Sequence, residues 1–484
     1  MIIKRARRNK NIRNTDNTDK KDKKDKIINV IGAGLAGCEA AYQAARLNVV
    51  RHGGVRVKLF EMKPGKFSPA HKNKNFAELV CSNSFKAKSV ENAVGLLKKE
   101  LETGGSLIIE AAYETQVPAG GALAVDRERF SDYITNKIRA DRNIEIINRE
   151  ATDLSEFGDE AVIIATGPLT SDKLQEEIKN LLGEEYMFFF DAAAPIVSLD
   201  SIDFSGGSNK NTSGAFYASR YDKGDKDYIN CPMTKEEYRE FYNALLYAET
   251  ARLHDFERDY IEKNVFEGCM PVETLARRGE ETLLFGCMKP VGITDPETGK
   301  QPYAVVQLRQ DDSAKTMYNI VGFQTNLTFG EQKRVFSLIP ALKNCEFLRY
   351  GVMHRNTFIN SPKLLDADYS LRKSRNIYFA GQITGVEGYI ESASSGFAAG
   401  IAAFEKIHTG KKFVFPKSTM IGALAHYISD ERIGAGRFQP MSANFGIIEN
   451  PKPHEKIKGG KKAVKQRIAE ISIEYMQEWK LSQK

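Results

Sequence analysis

Apolar and polar positions along the chain alternate between two rhythms after residue 26. Residues 27–31 (IINVI) form a short apolar run and predict a strand, and an Ala-rich helical pattern follows over about 35–46. Residues 55–60 (VRVKLF) alternate as a second strand, which completes one βαβ unit of ordinary length. Helical periodicity returns near 93–101 and 127–138, and strand-like runs near 144–147 and 161–165. Strands alternating with helices predict an α/β fold with a parallel sheet. The texture changes near Met187. From there to about Asn326 mixed strands and helices are broken by turn-rich stretches such as SGGSNKNTSG and ITDPETGKQ, which predicts an inserted mixed α/β domain. The first texture resumes with the run IYFA at 377–380, then Gly381 and a small-residue helix to about Ile407.

Between the first strand and helix lies Gly32-Ala33-Gly34-Leu35-Ala36-Gly37, a G-x-G-x-x-G turn. The first glycine permits the tight turn, the second lets a pyrophosphate approach the backbone, and the third lets helix pack on strand. The free N–H groups of the helix N-terminus then face the phosphates. Glu61 ends the second strand 24 residues beyond Gly37, where a carboxylate accepts from adenosine ribose hydroxyls. Two later segments favour FAD over NAD: Val162-Ile-Ile-Ala-Thr-Gly167, and Tyr378-Phe-Ala-Gly-Gln-Ile-Thr-Gly385 with Gly381 and Gln382 at its turn. The reading is therefore a Rossmann-type FAD-binding domain in two parts, 27–186 and 327–450, with the second domain inserted at 187–326. A basic tail (1–26) precedes it and a charged helical extension (451–484) follows.

Charge changes the picture only at the tail. Residues 1–26 carry eleven Lys/Arg and four Asp, so their net +7 equals that of the whole chain and the remainder is neutral. The tail reads as a disordered solubilising extension, or as a loose electrostatic arm for an anionic polymer. Any basic patch on the body is local. No run reaches the roughly 18 apolar residues of a membrane helix, and the first residues hold no apolar signal region. Six scattered cysteines form no C-x-x-C pair, which argues against zinc or a disulfide framework and for a reducing cytoplasm. By composition a free cysteine is a small core residue. Cys38, Cys269, Cys287 and Cys345 are read so. Cys81 (FAELVCSNS) and Cys231 (YINCPMT) each pass from a strand-like segment into polar, turn-forming residues. Cys231 before Pro232 suits a helix start, where N–H groups lower a thiol pKa.

Eight blocks together (IGAGLAGCEAA, FAELVCSNS, VPAGGALAVDR, VIIATGPLTS, DAAAPIV, YAVVQLRQDD, YGVMHRNTFINSP and YFAGQITGVEGYIESASSG) resemble the folate- and FAD-dependent tRNA uracil-5-methyltransferases of the TrmFO type. The resemblance spans about residues 27–446 and leaves out the tail and the loop 203–214. It implies formation of 5-methyluridine at a T-loop uridine of tRNA. The carbon would come from 5,10-methylenetetrahydrofolate through reduced flavin, and NADH or NADPH would supply electrons. A thiolate adding to uracil C6 would make C5 nucleophilic enough to attack the one-carbon unit. The resemblance carries the two catalytic cysteines onto Cys81 and Cys231, with Cys231 as the C6 nucleophile and Cys81 on the flavin side as proton-transfer or protecting thiol. Three rivals stand beside it: the same chemistry on ribosomal RNA, a small-molecule flavin oxidoreductase, and a non-enzymatic RNA-binding flavoprotein. Secondary candidates are Arg309, the pair His354–Arg355, Asp126–Arg127 as helix cap and ion pair, and Glu387 and Tyr389 near the flavin. The run Lys456–Arg467 reads as a solvated face.

Overall fold

The structure is a computed structural model that describes residues 26–183, 187–205, 214–222, 225–251, 270–433, 438–449 and 460–483. The expected tail, apart from Lys26, lies outside these residues, as does Cys269.

A six-stranded sheet forms the first unit. Its order is Ser370–Leu371, Ser374–Phe379, Ala161–Ile164, Lys26–Ile31, Val55–Phe60, Ile144–Ile147, and only the first pair is antiparallel. Ile31 is in register with both Phe60 and Ile164, and Ile164 with Phe379, so the carboxyl ends of four strands meet on one edge. Ligands of open parallel sheets bind at such an edge. The central strand Ala161–Ile164 is apolar and buried throughout, as expected where both faces of a parallel sheet are covered. The helix Leu35–Arg51 packs along Tyr389–Thr409, and the approach is close. A Cβ on Gly396 would lie 2.1 Å from the Ala36 carbonyl oxygen, and one on Gly400 would lie 2.4 Å from that of Ala40. The small-residue run of the later helix is thus what lets two distant parts of the chain close one domain.

A second six-stranded sheet takes the order Phe216–Ala218, Tyr228–Met233, Ala304–Gln310, Met317–Ile320, Ile196–Ser198, Phe347–Arg349, antiparallel throughout. Its core joins Ile229, Cys231, Tyr238, Phe241, Phe323, Phe336 and Leu342. This core runs past Asn326, the boundary expected from the sequence, to Cys345, because the helix Phe329–Phe336 buries Val335 and Phe336 in it. The strands Met187–Ala192 and Met353–Phe358 pair as a ribbon where the chain leaves and re-enters the first unit.

The C-terminal segment, expected only as a charged extension, carries a helix, Gly460–Ser482, with a buried seam of Ile468, Ala469, Ser472, Met476 and Trp479. Trp479 packs on Phe397, Phe413 and Phe415. Lys462 and Arg467 point outward to Glu91 and Glu470, in keeping with a solvated face. Among the described residues no helix is long and apolar enough to cross a membrane.

Candidate active site

The glycine turn forms as its sequence requires. Gly32 has a φ of +97°, and a Cβ on Gly37 would meet the Gly32 carbonyl oxygen at 1.7 Å. Gly37 therefore closes the turn from beneath and takes no part in lining the cleft. Gly34 is different: a Cβ there meets no protein atom within 4 Å. The chain does not need a glycine at that position for its own packing, so the requirement comes from what sits above the turn.

The cleft above this edge holds about 1140 Å³ of open space. Gly32, Ala33, Gly34, Leu35, Ala36, Glu61, Gly381 and Gln382 all line it, so eight of the nine predicted nucleotide contacts converge. Glu61 is buried, and its two oxygens accept from the Ala33 and Lys63 amides at 2.9 Å each. It braces the glycine turn and keeps lone pairs for a ribose hydroxyl. Arg149 and Glu150 line the cleft with Glu61, and Tyr389 and Ser392 line it with Gly381 and Gln382. An elongated dinucleotide such as FAD fits this lining: backbone amides for phosphates, a carboxylate for a ribose, and a mostly apolar wall for a ring.

Cys81 stands beside the cleft, one residue after Val80 in its wall. Its thiol is half-buried, and Sγ lies 2.9 Å from the Tyr389 hydroxyl. The same hydroxyl accepts from the amides of Cys81 (2.9 Å) and Ser82 (3.2 Å). Burial, and next the nearby Cys81, holds the Tyr389 phenol well above its ordinary pKa, so it stays protonated. Three guanidiniums gather on the same loop. Arg127 donates to the Leu79 carbonyl, Arg349 to that of Val80, and Arg309 to the Ser82 hydroxyl and the Asn83 side chain. Burial lowers the pKa of both Arg309 and Arg349. Asp126 caps its helix through the Glu128 and Arg129 amides, and Arg127 pairs with Asp311 at 3.0 Å, as expected for that dipeptide. Arg349 had no sequence signal. It sits on a three-residue edge strand, and only the fold brings it to residue 80.

Cys231 does not join this constellation. It lies mid-strand opposite Val306, fully buried in the second core. Burial, and next the neighbouring Cys345, pushes its thiol pKa up. The expected helix start at Cys231–Pro232 is corrected: the helix begins at Lys235, where Thr234 and Glu237 form a capping box. No helix N-terminus therefore activates the thiol. Cys38 and Cys345 are also buried, and burial raises half-buried Cys287 to about 12. Glu387 accepts from Gln382 at 2.7 Å. His354 and Arg355 fall on the ribbon strand, with side chains outside the described residues.

Comparison with known proteins agrees with this geometry. A family model described as "Glucose inhibited division protein A" matches residues 27–411. The methylenetetrahydrofolate--tRNA-(uracil-5-)-methyltransferase TrmFO of Acetivibrio thermocellus is 61% identical over 423 residues, covering 87% of this chain and 92% of that protein. Its namesake from Ligilactobacillus salivarius is 52% identical over 454 residues, covering 94% and 98%. Among solved structures, Aquifex aeolicus GidA superposes with a TM-score of 0.63 at 16% identity, covering 94% of this chain and 74% of that one, which supports the shared fold. The chain belongs to the glucose inhibited division protein A family, and within it to the group whose members are named TrmFO.

Proposed function

We propose that this chain is a methylenetetrahydrofolate--tRNA-(uracil-5-)-methyltransferase, forming 5-methyluridine at the T-loop uridine of tRNA, with FAD in the glycine cleft. The observation that carries the reading is the pairing of a dinucleotide cleft with a thiol at its edge, Cys81 against Tyr389. Flavin hydride transfer to a small molecule does not by itself require a thiol there. Relatives of 52–61% identity bearing the methyltransferase name support it. Methylenetetrahydrofolate supplies the carbon, NADH or NADPH the reducing equivalents, and the compartment is the cytoplasm.

When bound, the flavin supplies the electrons that take the one-carbon unit to a methyl group. The chain does the rest. The amides of the glycine turn and Glu61 hold the nucleotide end. Cys81 and Tyr389, together at the edge of the cleft, would take or return a proton at the reacting carbons, in keeping with a flavin-side role for Cys81. The C6 nucleophile needs a thiol that a base can reach. Cys231 meets this only if its core opens; Cys345 is buried in the same core, and Cys38 in that of the first unit. Cys287 is held protonated by burial. With Cys81 on the flavin side, Cys269 therefore stands ahead of Cys231 for that step.

The test has two parts. Nucleosides from tRNA and from ribosomal RNA of cells with and without the gene are compared; loss of 5-methyluridine from tRNA is expected. Loss from ribosomal RNA alone would move the reading to that substrate. RNA containing 5-fluorouridine then traps the thiol, because the fluorine at C5 cannot leave as a proton does. Mass spectrometry of the adduct assigns the nucleophile. An adduct on the peptide that holds Cys231 would overturn the precedence of Cys269.

A further inference from the structure

The second sheet reaches the loop beside the cleft through two arginines. Arg309, on the strand Ala304–Gln310, is buried, and Arg349 ends the edge strand Phe347–Arg349 half-buried. With Arg127 they place three guanidiniums around residues 79–83. The carboxylate bearing on this cluster, Asp311, is gripped at both oxygens by Arg127, at 3.0 and 3.1 Å. Among the described residues Arg309 and Arg349 form no ion pair. A buried and a half-buried guanidinium held outside any ion pair are costly; Asp311, Arg127 and Cys81 lie near both, and of these Cys81 is the group left to carry a negative charge beside them.

The Tyr389 hydroxyl gives an independent count. Its oxygen already accepts two amide protons, from Cys81 and Ser82. Two accepted bonds fill its lone pairs, so its own proton is the one left for Sγ at 2.9 Å. In that bond the sulfur is the acceptor. A phenol that donates to the sulfur, with guanidiniums anchored on the residues either side of it, favours the negatively charged form of that sulfur.

We propose that Cys81 rests as a thiolate, and that Arg309, Arg349 and Tyr389 are the positioning residues that keep it so. The thiol proton goes to solvent, and no bond to carbon is involved. The proposal deepens the reading of Cys81 as the flavin-side thiol and rests on it. The charged and titratable groups facing the sulfur's surroundings are Arg127, Arg309, Arg349, Asp311 and Tyr389, with Tyr228 behind Arg309. The task of the second sheet at the site is thus to set the charge of a cysteine in the first unit.

The test needs neither RNA nor turnover, so it can fail without the methyltransferase reading failing. The FAD-loaded full chain is alkylated with isotope-coded iodoacetamide between pH 5.5 and 9, and the rate is read on the peptide that holds Cys81. An ordinary thiol titrating near 8.5 slows about 150-fold between pH 8.5 and pH 6. Cys81 is expected to slow less than about fivefold. Arg309→Gln, Arg349→Gln and Tyr389→Phe should each restore much of the ordinary slowing, at least about tenfold at pH 6, while Arg349→Lys keeps the wild-type profile. Flavin absorbance shows that each variant is folded and loaded. Should the reagent not reach the sulfur, the ultraviolet thiolate absorbance of wild type minus Cys81→Ser, followed over the same pH range, reads the same state. An ordinary thiol profile in the wild type overturns the proposal. So does a wild-type profile in both arginine-to-glutamine variants.

Discussion

The two sheets treat a cysteine in opposite ways. In the first unit, parallel strands end together, the chain turns through glycines, and the space left is lined by backbone amides, a carboxylate and a tyrosine. Cys81 sits at the rim of that space, among arginines and a phenol. In the second unit an antiparallel sheet closes over its own apolar filling. Cys231 lies inside it, fully buried opposite Val306, as one more small apolar residue. Two sequence neighbourhoods that look alike, a strand running into polar turn residues, end in different dielectric surroundings. A thiol is a reagent where charge and access meet it, and filler where they do not.

The largest break in this contrast comes from Gly34. Because a side chain there collides with no protein atom, Gly34→Val is expected to fold and to lose nearly all bound flavin. Absorbance of the purified protein checks this, and a fully yellow Gly34→Val would sink the cleft assignment. A second prediction concerns stability in the first unit. Glu100 is buried, and its carboxylate accepts from the Met420 and Ile421 amides and from Ser472 of the C-terminal helix. Burial raises its pKa from 4.5 to about 7. A carboxylate raised on folding favours the protonated native state. Its contribution is therefore greatest below the unfolded value and is lost as pH climbs to about 7. The loss amounts to about 3 kcal/mol. Denaturant melts at pH 5 and pH 8 should show that loss in the wild type and a flatter dependence in Glu100→Gln. Equal slopes in the two proteins would assign the dependence to other groups. The smallest effect is expected from deleting residues 1–25. RNA affinity should drop by a few-fold at low salt and hardly at all at high salt, with the methylated position unchanged. A shift in that position would give the tail a part in recognition.

Much of the first unit was legible beforehand. Strands, the glycine turn, Glu61 and the later FAD-like segments all follow from local spacing, and local spacing survives folding. The insertion was visible as a change of rhythm. Its far edge was not, because the helix Phe329–Phe336 has the same amphipathic pattern whichever core it covers. The C-terminal helix looked like surface because its lysines crowd the first turns, while the buried seam of Ile468, Ser472, Met476 and Trp479 lies later. Arg349 was out of reach because its meaning lies in a contact with Val80, 269 residues away. The turn-like look of Asn230-Cys231-Pro232 misled for a related reason. The neighbouring strand pairs only as far as Asn230, so Pro232 is tolerated inside a strand and marks no helix start.

The central claim is that chemistry resides with Cys81 and packing with Cys231. It is tested most directly by measuring tRNA methylation with two single variants side by side, each checked for fold and flavin content. Cys81→Ala is expected to lose at least about 100-fold in rate, the scale of a removed proton-transfer group. Cys231→Ala should give up about 1 kcal/mol of stability and methylate at close to the wild-type rate. A folded, flavin-loaded Cys231→Ala without activity, beside an active Cys81→Ala, would contradict the account.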